Sequence, residues 1–122
     1  MQFEPRPLTN DEQRVLGQIL DAEFQGVAAL REQLAGLQVV GRCDCGCPSI
    51  DLEPSSDIRW SDQVGRLAPV ELEVKPVADE PPGRVILFVD GGKLSYLEYV
   101  YYSEAAPHEW PADNRLERVG PT

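Results

Sequence analysis

An α+β fold is predicted for this chain: a helix or helix pair at the N-terminus, packed on a mostly antiparallel sheet of about five strands. Three observations carry that expectation. Apolar residues recur at helical spacing as far as Leu34, alternate with polar residues from Leu37 onward, and the segments between are rich in Gly and Pro. The 122 residues read as one domain, with a helical part over 1–36, a sheet over 37–104 interrupted by a loop at 54–68, and an irregular tail over 105–122.

The helical part opens on Thr9-Asn10-Asp11-Glu12, a capping box in which Thr9 accepts a helix amide and Glu12 reaches back. Val15, Leu16, Ile19, Leu20 and Phe24 then fall on one face, which predicts an amphipathic helix over 10–24. Val27, Leu30 and Leu34 continue the period beyond Gly26, so the part is either two short helices or one helix bent at Gly26, ending at Gly36. The change to strand period follows. Leu37 to Cys45 and Ser49 to Glu53 read as a hairpin turning at Cys45-Gly46-Cys47-Pro48. Val70 to Lys75 is a strand with Val70, Leu72 and Val74 inward and Glu71, Glu73 and Lys75 outward. Val85 to Val89 is apolar at every position, which predicts a strand covered on both faces. Asp90-Gly91-Gly92 is a hairpin turn into the strand Leu94 to Tyr102. Leu97, Tyr99 and Tyr101 are expected on one face of that strand, and Leu94, Tyr96, Val100 and Tyr102 on the other. Trp110 is expected to hold down part of the tail.

The charge balance narrows the function. Against 21 acidic residues stand 11 basic ones, a net charge of −10. Phosphate backbones and anionic membrane surfaces call for a Lys/Arg surplus, so neither nucleic acid nor membrane is an expected partner; an electrostatic partner would be basic. Nine of the eleven basic residues are Arg, a usage typical of GC-rich genomes. The start of the chain carries no secretory signal pattern, and no run reaches the ~18 apolar residues of a membrane span. Three cysteines crowded into five positions do not make a secreted disulfide framework. A cytoplasmic protein is expected.

Cys43-Asp44-Cys45-Gly46-Cys47 is the most unusual segment. It is open to three readings: a metal site, a reactive thiol, or small residues packed at a tight hairpin. In an extended strand, residues two apart lie about 6.6 Å from each other. Thiolates sharing a tetrahedral zinc lie about 3.8 Å apart, given Zn–S near 2.3 Å. The three can therefore converge only if Gly46 and Pro48 turn the chain sharply. His108, the single histidine, is the candidate fourth ligand of such a zinc site.

Asp51, Glu53, Glu71 and Glu73 form a second constellation, each pair two apart on a strand and so on one face. Were the two strands neighbours, four carboxylates would gather, as a docking surface or as a general acid/base pair; ordinary solvation is the plain alternative. The tyrosines of the last long strand and Trp60 in its loop are either core or interface residues. His108 beside Glu109 is open to two readings, a proton-transfer pair or, more commonly for a lone histidine between Pro107 and Trp110, a structural residue of the tail. No Gly-x-Ser-x-Gly elbow, phosphate-binding glycine loop or His-Glu-x-x-His is present, so no enzyme is expected.

The string from Val40 to Leu52, Val40-Gly41-Arg42-Cys43-Asp44-Cys45-Gly46-Cys47-Pro48-Ser49-Ile50-Asp51-Leu52, together with Val85 to Glu98 and the Trp110-Pro111 ending, resembles small proteins of GC-rich bacteria. That resemblance covers nearly the whole chain and implies no activity, cofactor or site residue. The leading expectation is a non-catalytic acidic domain, immunity- or antitoxin-like in character, that binds a basic protein through Glu71, Glu73, Tyr99, Tyr101 and Trp60. The alternative is a metal- or thiol-dependent protein built on Cys43, Cys45 and Cys47.

Overall fold

The computed structural model describes residues 3–63 and 65–120. The capping box forms as its residues dictate: the Glu12 amide donates to Thr9 Oγ1 at 3.2 Å, and the Thr9 amide donates to Glu12 Oε1 at 2.8 Å. A two-residue strand, β1 (Arg6–Pro7), runs into this turn, and Arg6 grips the same carboxylate through both terminal nitrogens at 2.8 and 2.9 Å. Burial works against the Glu12 charge, but the hydrogen bonds from Arg6 and Thr9 outweigh it and hold the carboxyl below the ordinary glutamate value.

Helix α1 (Asn10–Leu20) buries Val15, Leu16, Ile19 and Leu20, the predicted stripe. It stops at Leu20 rather than at 24. The carbonyls of Leu20 and Ala22 instead accept from the Arg31 side chain at 2.6 and 3.0 Å. Gly26, at φ 85°, then restarts the chain as α2 (Val27–Glu32). Of the two helical alternatives, two short helices is the one adopted: the chain must reverse to lay both apolar stripes on one sheet.

Seven antiparallel strands form that sheet, not five. Beyond β1 they are β2 (Gln38–Arg42), β3 (Ile50–Glu53), β4 (Glu71–Val74), β5 (Gly83–Asp90), β6 (Lys93–Tyr101) and β7 (Leu116–Val119), in the order β1-β2-β3-β6-β5-β4-β7. The two additional strands lie at the edges, where two to four residues pair with one neighbour only and leave little sequence pattern. The tail, expected to be irregular, supplies β7 and the 3₁₀ turn Asp113–Arg115 before it, so helical structure is not confined to the N-terminus. One apolar core joins α1 and α2 to Val39, Ile50, Leu52, Val70, Leu72, Val74, Val85, Leu87, Val89, Leu94, Leu97 and Tyr99.

Two face assignments change. Val85, Leu87 and Val89 are buried beneath the helices, but Ile86 and Phe88 are only half-buried on the far face, so β5 is not covered on both sides. Leu94 joins the core face with Leu97 and Tyr99, because the β5–β6 pairing shifts between Phe88 and Val89. A bulge of one residue flips every side chain beyond it to the other face.

The 54–68 loop is anchored. Gln33, fully buried, donates from Nε2 to the carbonyls of Arg59 and Gly92 at 3.0 and 2.8 Å and accepts the Leu94 amide on Oε1 at 2.9 Å. Further along, the Ala68 amide donates to the Leu87 carbonyl at 2.9 Å, and the Val89 amide donates to the Arg66 carbonyl at 2.7 Å. These bonds fill the edge of β5 that the short β4 leaves open.

Candidate functional site

The β2–β3 hairpin carries Cys43, Cys45 and Cys47 on its connecting turn. Val39 pairs with Leu52 and Arg42 with Ile50, so the chain must reverse between 43 and 49. Gly46 takes φ 92°, a value costly for any residue with a Cβ, and its amide donates to the Cys43 carbonyl at 3.4 Å. The sharp turn that convergence requires is thereby met. The three Sγ atoms all lie within 4.8 Å of one another, and Cys43 Sγ touches Cys45 Sγ at 2.9 Å.

The three thiols differ in setting. Cys45 is exposed, Cys43 half-buried and Cys47 buried. Hydrogen bonds from the Cys43 thiol, the Cys47 amide and the Tyr101 hydroxyl stabilise the Cys45 thiolate and pull its pKa down to about 6. Cys43, whose proton is shared toward Cys45, is pushed up to about 11. The pair thus holds one proton on Cys43 and leaves Cys45 as thiolate at neutral pH. Cys47 is tied inward instead: its Sγ donates to Ser49 Oγ at 3.4 Å, and Ser49 Oγ also accepts the Tyr99 amide at 2.8 Å. Ser49 is 1% exposed and welds the turn to β6.

His108 does not join the thiols. Among the described residues, the donor atoms within 4.8 Å of one another are Cys43, Cys45 and Cys47 alone. His108 lines, with Cys47, Arg42 and Glu12, a cleft of about 250 Å³ beside the cluster. Of the four residues that the sequence left open as a zinc site, the three cysteines come together and His108 stands apart. His108 also borders a larger groove of about 740 Å³ over Tyr99, Tyr101 and Trp110.

The other candidate residues separate. β3 and β4 are not neighbours, since β6 and β5 lie between them, so Asp51 and Glu53 stand about 14 Å from Glu71 and Glu73 at the usual strand spacing. No four-carboxylate group forms. Glu71 accepts from Arg84 at 2.9 Å, and Glu73 lies opposite Arg84 in the β4–β5 register. Tyr99 is a core residue, 5% exposed, with its ring stacked on Trp110 at 5.9 Å; it presents no docking surface. Trp110 holds the tail as expected. The Tyr101 hydroxyl contributes to lowering the Cys45 pKa. Trp60 is 63% exposed, with Lys93 Nζ 5.4 Å from its ring centroid.

Ser49 and the link from Tyr101 to Cys45 were not read from the sequence as parts of a site. The signal is the β3–β6 register, Ile50 opposite Leu97 and Asp51 opposite Tyr96, which carries Tyr101 toward the turn. A single sequence shows two strands but not their register.

No helix among the described residues is long and apolar enough to cross a membrane. Comparison with known proteins matches no family model, no curated protein and no solved structure.

Proposed function

We propose that the protein binds a soft metal ion, zinc first among them, through Cys43, Cys45 and Cys47. The observation that supports this reading is the convergence of three Sγ atoms within 4.8 Å on one glycine-dependent turn. Thiolates at an edge of about 3.8 Å hold zinc tetrahedrally, so small rotations of the side chains bring the cluster to binding geometry. Soft sulfur donors select zinc or monovalent copper over magnesium and calcium. With three protein donors, the fourth tetrahedral position falls to water or to a donor from another molecule.

The test is elemental analysis of reduced protein purified without chelator or His tag, followed by competition with a chromophoric chelator. About one zinc per chain is expected, and Cys45→Ser should weaken binding by more than about a hundredfold, since loss of even an outer-shell partner costs up to that much. His108→Ala should leave it within about twofold. Substoichiometric zinc, with Cys45→Ser equal to the parent, refutes the reading.

A second reading is favoured by a different observation: the sheet face away from the helices is uncovered. Ile86, Phe88, Tyr96 and Val100 are half-buried there, with Leu67 at 44% exposure beside Phe88. Asp51, Glu53, Glu71, Glu73, Glu98 and Glu117 lie along the same strands, so a basic protein is the complementary partner, immunity- or antitoxin-like in kind. With synthetic polylysine as probe, affinity should fall steeply with salt and should weaken further in the Glu71→Gln, Glu73→Gln double variant. Binding that ignores both salt and these substitutions rules this surface out.

A further inference from the structure

We propose that the thiol cluster is also a modification site: Cys45 reacts with a hydroperoxide and Cys43 resolves it, closing a Cys43–Cys45 disulfide while Cys47 stays reduced. This rests on the thiol-cluster reading above and adds the regulation of that site.

The geometry selects one pair out of three. Cys43 and Cys45 Sγ are already in contact at 2.9 Å, on a turn closed by the Gly46 amide and the Cys43 carbonyl. A flat strand would hold residues two apart near the upper limit of disulfide reach, about 6.6 against 6.8 Å between Cα atoms; the turn relieves that constraint. Access selects the attacking atom. Cys45 is exposed, whereas Cys47 is 6% exposed with its Sγ engaged by buried Ser49. An oxidant reaches Cys45 first, and the nearest partner is Cys43.

The chemistry balances with a hydroperoxide as the only co-reactant. The Cys45 sulfur attacks the terminal oxygen of ROOH; an S–O bond forms, the O–O bond breaks, and the alkoxide leaves to take a proton as ROH. Cys45 is then a sulfenic acid. The Cys43 sulfur attacks the Cys45 sulfur; an S–S bond forms, the S–O bond breaks, and hydroxide departs with the Cys43 proton as water. Two electrons pass from the two thiols to the peroxide. The product retains one free thiol of three, so an ion bound by the cluster is released.

The experiment uses the full chain, reduced and freed of metal, treated anaerobically with one equivalent of hydrogen peroxide, then alkylated and mapped by mass spectrometry. The expected product lacks two hydrogens, links Cys43 to Cys45 and carries the alkyl group on Cys47. Cys43→Ser should stop at a dimedone-trappable sulfenic acid on Cys45, and Cys47→Ser should still form the link. A parallel zinc-loaded sample should release zinc mole for mole with disulfide. A link to Cys47, a Cys45 oxidised past the sulfenic acid with Cys43 still free, or no reaction overturns the proposal. The two readings fail separately. Zinc retention without the disulfide sinks this inference alone, whereas a disulfide in protein that never binds zinc sinks the metal reading.

Discussion

Cys45 sits at the tip of a surface turn with hydrogen-bond donors converging on its sulfur, and the consequence is a thiolate at a pH where an ordinary cysteine is protonated. Its reactivity toward iodoacetamide should therefore be half-maximal near pH 6, flat above it, and should fall about tenfold per unit below it. Cys43, held at about 11, should label far more slowly at neutral pH. Rates mapped peptide by peptide across pH check this. Equal labelling of all three thiols, or a midpoint near the ordinary value of about 8.5, would contradict it. Much of this site was visible in the sequence: the cysteine spacing and the Gly46 and Pro48 that permit a tight reversal. Tyr101 and Ser49 were visible only as residues, because their contact with the cluster depends on how β6 pairs with β3.

At the scale of elements, the joints matter more than the helices and strands they connect. Gln33 ends α2 and bonds the loop through Arg59 and the β5–β6 turn through Gly92 and Leu94. Gln33→Leu fills the space but strips partners from three backbone groups, each costing about 1–3 kcal/mol when buried and unsatisfied. The expected loss is about 3 kcal/mol or more in unfolding free energy, read from urea denaturation with the zinc affinity of the cluster unchanged. A loss below about 1 kcal/mol would show that water replaces the side chain. Period and caps made α1, α2 and the core strands legible from the residues. The end of α1 at Leu20 was not legible, because Arg31, on a different helix, donates to the carbonyls of Leu20 and Ala22. The face of Leu94 was not legible either, because a bulge is a property of the pairing and not of either strand.

For the whole molecule, charge and layering keep the two proposed kinds of binding apart. Asp51, Glu53, Glu71, Glu73, Glu98 and Glu117 lie along the sheet strands, while the thiols occupy the turn between β2 and β3. What followed from composition and periodicity alone was the α+β class, the helical start and the hairpins, because each reflects neighbours within a few residues along the chain. Strand order was settled by packing: β6 and β5 came to lie between β3 and β4, which scattered the carboxylates, buried Tyr99 and drew Tyr101 to Cys45. Side chains far apart in sequence meet only where a shared core dictates register, and no local spacing encodes that.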